Sequence, residues 1–176
     1  MYTLFRWFYC LPIWDAVLLI LLVTAAFLFL RQVLGKAAYW KVSVILLFLV
    51  WIATILLGTL GQRSAGTLLE PVLMPFASYY AAHNGGSNEI YRTNFMNVVL
   101  FFPAGLLGYE VLPNLWRKCW RIILVTCLFA LISIGIEYIQ YCFGLGLAET
   151  DDIIHNTLGA FLGAIVCSFS IRIPKE

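Results

Sequence analysis

Five stretches of this chain are each long and apolar enough to cross a bilayer, and this constrains the fold more than any motif does. A spanning helix needs about 20 mostly apolar residues. Within lipid, only helices or closed barrels satisfy their own backbone hydrogen bonds. The spacing predicts spans at about Ile13–Leu30, Val42–Leu60, Asn94–Leu112, Trp120–Phe143 and Asp152–Ile171. The residues are 62% hydrophobic and 11% charged, whereas soluble domains run near ~45–50% and ~25%. The expected fold class is therefore all-α: one polytopic membrane helix bundle, residues 1–176, with about five transmembrane helices. Arg6 is the one basic residue ahead of the first stretch, and that stretch runs on past Ala26, so it reads as a retained helix and not as a cleaved leader. The five cysteines (10, 119, 127, 142 and 167) form no CxxC pair and read as small hydrophobes within or between helices.

Basic residues set the expected orientation. Arg31, Lys36, Lys41, Arg117, Lys118, Arg121, Arg172 and Lys175 fall on one side of the predicted spans, and only Arg6, Arg63 and Arg92 on the other. The richer side belongs in the cytoplasm, so the N-terminus is expected outside and the C-terminus inside. Between the second and third spans lies residues 61–93, where Pro71 and Pro75 break any continuous helix. Its Leu68, Leu69, Val72, Leu73, Met74 and Phe76 are too apolar for a free loop, so an external interfacial or re-entrant segment is expected, with Tyr79 and Tyr80 at headgroup level.

This orientation collects the polar residues of the spans at one depth. Glu137 lies about 9 Å below the outer end of the fourth span, with Gln140 and Tyr141 expected on its face. Asp152, His155, Asn156 and Gly159 are expected on one face of the fifth, and Asn94 and Asn97 in the first turns of the third. Arg63 and Arg92 flank the external segment, and no comparable group is expected near the cytoplasmic side. A carboxylate within a span costs at least ~2.5–3.5 kcal/mol and must have partners. Glu137 either pairs with Arg63, Arg92 or Asn156 to hold helices together, or it lines a functional pocket. Thr150 and Asp151 read as N-cap and first-turn residues of their own helix. Carboxylates and histidine at these spacings match no established metal signature, so neither metal nor cofactor is expected. Gly159 and Gly163 form a GxxxG pair that lets the third or fourth span approach closely, and Pro103, Gly105 and Gly108 mark a bend and a small-residue face in the third.

The blocks "PFASYY…YRTNFMNVVLFFPAGLLG", "IEYIQ" and "ETDDIIHNTLGAFLGA" resemble the VanZ-like family of bacterial membrane proteins, from Arg63 to about Gly163. Carried over by position, the resemblance marks Arg63, Asn97, Phe101, Pro103, Gly105, Glu137, Gln140, Asp152, Asn156 and Gly159. Many relatives carry an arginine in the turn before the acidic pair, where this chain has Leu145 or Gly146. The resemblance implies a multi-pass protein of the bacterial cytoplasmic membrane, linked to teicoplanin-type glycopeptide resistance, and supplies no reaction.

Two functions from different classes follow as expectations. In the first, Arg63, Arg92, Asn97, Glu137, Gln140, Asp152 and Asn156 form an outward pocket that binds an envelope lipid, a cell-wall precursor or a lipoglycopeptide antibiotic. In the second, a membrane-embedded enzyme acts on a lipid-linked envelope substrate, with Glu137 or Asp152 as acid or base and His155 as auxiliary proton carrier. Transport ranks third, since polarity at a single depth gives no continuous route. Membrane lipids are expected partners. Nucleic acid is not, at a net charge of +2.

Overall fold

The computed structural model describes residues 11–35, 38–61, 65–66, 68–85, 87, 89–113 and 117–169. Six α-helices follow in order: α1 Ile13–Leu34, α2 Ala38–Leu56, α3 Ala77–His83, α4 Glu89–Val111, α5 Lys118–Phe143 and α6 Thr150–Phe169. One turn of π-helix, Leu57–Gly61, extends α2. All but the short α3 are long and apolar enough to span a membrane. Among the described residues there is no strand, only an isolated parallel bridge between Val72 and Glu149. The expected spans are thus all present, most of them longer than their hydrophobic cores. α4 starts at Glu89, inside the stretch expected to be external, because polar Glu89, Arg92 and Thr93 continue the helix beyond the apolar run. Ile171 lies outside the described residues.

The centre of the bundle is the α4–α6 pair. The resemblance between their sequences is small residues: Gly105, Gly159 and Gly163 sit where backbone meets backbone. A Cβ on Gly105 would lie 1.9 Å from the Ala160 carbonyl oxygen, one on Gly159 2.3 Å from that of Val98, and one on Gly163 2.0 Å from that of Phe102. The GxxxG pair therefore faces the third span, α4. Close approach matters here because lipid tails are as apolar as leucine, so helices associate through packing and hydrogen bonds instead of the hydrophobic effect. α4 carries Pro103 without interruption and is the most enclosed helix. α5 flanks α6, while α1 and α2 lie outside against α4 with most of their surface open to lipid. Phe101, Phe129, Phe48, Tyr109 and Ile136 fill the core between α2, α4 and α5.

The bundle has two polar ends. α4 and α6 begin, and α5 finishes, at the carboxylate end. The arginine end holds a buried network that sequence reading places nowhere: Arg31, Glu110 and Arg121 are all buried. Arg31 Nε lies 2.9 Å from Glu110 Oε2, and Arg31 Nη1 donates to the Cys167 carbonyl at 2.9 Å. Trp40 Nε1 donates to Glu110 Oε1 at 3.2 Å. Arg121 donates to the Tyr109 and Leu112 carbonyls and lies 4.0 Å over the Tyr109 ring. The expectation of polarity at a single depth is corrected by this network. Here Arg31 and Arg121, which the sequence marks only as orientation charges, satisfy carbonyls near the C-terminal ends of α6 and α4.

Candidate functional site

The carboxylate end is organised by Asp151 in the first turn of α6. Its carboxylate accepts the backbone N–H groups of Phe76 and Ser78 and the Ser78 hydroxyl. Asp151 therefore caps the N-terminus of α3, not that of its own helix as expected, because a carboxylate answers any nearby unsatisfied helical N–H. Asn94 Nδ2 of α4 donates to the same Ser78 hydroxyl at 2.8 Å. Val72 N–H donates to Ala148, and Thr150 N–H to Val72. The connecting segment is thus bound to the start of α6 by side chain and backbone together. Phe76 takes φ 62°, the left-handed region that only a tightly held non-glycine residue adopts.

His155, one turn along α6, bonds through both ring nitrogens. Nδ1 lies 2.5 Å from the Asp151 carbonyl, and Nε2 lies 2.6 Å from the Tyr79 hydroxyl. A carbonyl only accepts, so Nδ1 donates to it, and Nε2 meets the Tyr79 hydroxyl. Tyr79 also packs against Phe76, Tyr91 and the His155 ring. An aromatic cleft of about 520 Å³ lies beside them, lined by Phe76, Tyr79, Tyr91, Phe95, His155 and Leu158.

The expected common face of α6 divides three ways. His155 turns to α3, Asp152 accepts from Asn97 Nδ2 of α4 at 2.8 Å, and Asn156 Nδ2 donates to Ser133 Oγ of α5 at 2.9 Å. Successive helical positions are rotated by about 100°, so an i, i+3, i+4 set still meets different neighbours in a tight bundle. Glu137 is buried, and its Oε2 accepts the Glu149 N–H at 3.0 Å just ahead of α6. Gln140 is buried on the same α5 face and donates to the Thr59 carbonyl at 3.0 Å, in the π turn. Tyr141, expected to share that face, is exposed and points away. Among the described residues, the amide oxygens of Gln140 and Asn156 are buried with no donor.

Arg92 pairs with Glu89 at 3.1 Å, three residues back on its own helix. Arg63 lies outside the described residues. Asn97 and Asp152 meet between α4 and α6, Asn156 reaches Ser133 of α5, Glu137 holds the residue just ahead of α6 and Gln140 the π turn, while His155 serves the α3 side. Sequence reading missed Ser78 and Ser133. Ser78 lies within the quoted "PFASYY" block, but its partner is 73 positions away.

Between α3, the start of α4 and the turn before α6 opens a cavity of about 490 Å³, lined by Val72, Ser78, Glu89, Thr93, Asn94 and Glu149. Its polar groups are hydroxyls, an amide and carboxylates. Among the described residues, no cation lines it.

The family model described as VanZ/LLP1 matches residues 16–171. A curated relative, Protein VanZ of Enterococcus faecium, is 32% identical over 76 residues, covering 42% of this chain and 42% of that protein. The aligned part therefore spans about two-fifths of the relative. No solved structure matches. With five membrane-spanning helices and a family match over nearly its whole length, this chain belongs to the VanZ/LLP1 family of multi-pass membrane proteins.

Proposed function

We propose that the protein binds the polar portion of an envelope lipid, a cell-wall precursor or a lipoglycopeptide at the carboxylate end, and through this binding contributes to teicoplanin resistance. The cavity between α3, α4 and the start of α6 carries this reading, because its hydroxyl, amide and carboxylate groups open next to an aromatic cleft. An amphiphile that offers hydrogen-bond donors and rings matches both. On the positive-inside argument this end faces outward, since Arg31, Lys41, Arg117, Lys118 and Arg121 gather at the other. The relative named Protein VanZ supports the link to glycopeptides.

The side chains favour binding over turnover. Glu137, Asp152 and His155, the acid–base candidates, are all engaged by protein groups, which suits holding a shape better than moving protons. The test is controlled expression in a glycopeptide-susceptible host, which should raise the inhibitory concentration of teicoplanin more than that of vancomycin. Thr93→Trp, which fills the cavity from an exposed position, should remove the effect at equal protein level. Unchanged teicoplanin susceptibility on expression of the wild type would refute the proposal.

A further inference from the structure

A second groove lies far from the carboxylate end. α1 and α2 touch through the Phe27 and Trp40 rings, whose centroids are 5.7 Å apart near the arginine end. Between there and mid-span they leave an apolar groove of about 350 Å³, walled by Val23, Phe27, Leu47 and Trp51 and floored by Pro103 and Leu106 of α4. It lies wholly within helices long and apolar enough to span a membrane, at the depth of the lipid hydrocarbon. Filling it with a chain yields dispersion contacts that an unfilled wall lacks. Apolar contact cannot choose between lipids, because every tail offers the same surface. Selection has to come from the headgroup.

The charge at the groove's closed end supplies it. Lys41, in the first turn of α2, is exposed and donates to the Glu110 and Val111 carbonyls at 3.0 and 2.6 Å. Val111 lies one helical turn, about 6 Å, beyond groove-lining Leu107. Among the described residues, this end holds Arg31, Lys41, Arg117, Lys118 and Arg121 against the lone carboxylate Glu110. The excess of positive charge acts as a field and needs no vacant donor. We infer that the groove between α1, α2 and α4 holds one acyl chain of an anionic glycerophospholipid, with its phosphate drawn to Lys41. This site is separate from the cavity proposed for the envelope ligand, and neither reading depends on the other.

The experiment uses the full chain equilibrated with equal amounts of phosphatidylglycerol and phosphatidylethanolamine, then read by native mass spectrometry. One phosphatidylglycerol should be retained per chain in preference to phosphatidylethanolamine. Lys41→Gln should lower that preference about fivefold, the effect of one basic charge near a membrane surface, and Lys41→Arg should keep it. Ala26 lines the groove from an exposed position, so Ala26→Phe should remove the one-to-one adduct while leaving the melting temperature unchanged. Equal retention of the two lipids by the wild type overturns the inference. So does an unaltered adduct in Ala26→Phe, or displacement of the phospholipid by an equimolar polyprenyl phosphate.

Discussion

Arg31 and Glu110 form an ion pair 2.9 Å apart, with side chains only 6% and 2% exposed, joining α1 to the C-terminal turn of α4. Removing one member strands the other charge in a low dielectric, which costs about 3–5 kcal/mol. Arg31→Met should lower stability by that amount in a detergent unfolding titration. The double variant Arg31→Met/Glu110→Met should recover part of the loss, because no charge is left to desolvate although the Cys167 carbonyl and Trp40 Nε1 lose these bonds. Additive losses would show that the two side chains act separately.

The α4–α6 contact should tolerate no side chain at its three glycines. A Cβ at Gly105, Gly159 or Gly163 would overlap a carbonyl oxygen of the partner helix, and backbone cannot swing aside as a side chain can. Overpacking costs about 1–3 kcal/mol and sometimes more. Gly105→Ala should fall at or above the top of that range by thermal melting. Gly135→Ala, where the added Cβ meets nothing within 4 Å, should be neutral or gain up to about 1 kcal/mol from helix propensity.

Asp151 should govern how firmly α3 is held. Hydrogen bonds to a charged group contribute about 1.5–3 kcal/mol each. Asp151→Ala removes the acceptor for Phe76, Ser78 and the Ser78 hydroxyl at once. Amide exchange across residues 76–83 should then accelerate by one to several orders of magnitude, with exchange in α4 and α5 little changed. Ser78→Ala leaves both backbone bonds and should have a smaller effect. Equal protection in wild type and Asp151→Ala would remove Asp151 from this role.

Glu137 offers a graded comparison. Gln keeps an oxygen for the Glu149 N–H, and Leu does not. Glu137→Gln should lose about 1 kcal/mol, and Glu137→Leu about 1–3 kcal/mol more as a buried donor is left unanswered. If the proposed envelope function holds, teicoplanin susceptibility should follow the same order at matched expression.

Most of the helices could be read from the chain itself. An apolar run of about 20 residues has one stable form in a bilayer, because lipid gives the backbone no outside partner. The small-residue spacing at Gly159 and Gly163 likewise announced a close helix contact, and Glu137, Gln140, Asp152 and Asn156 stood out as polar groups where polarity is costly. What remained illegible was the pairing. Asp151 looks like a cap for its own helix, and only the fold brings Phe76 and Ser78 into its reach. Arg31 and Glu110 look like ordinary charges near helix ends until the bundle closes around them. Hydrophobicity is additive along a sequence, so it can be summed from residue identities alone. A hydrogen bond or ion pair depends on angstrom-scale distances between residues as much as 136 positions apart, which the bundle's tertiary packing decides.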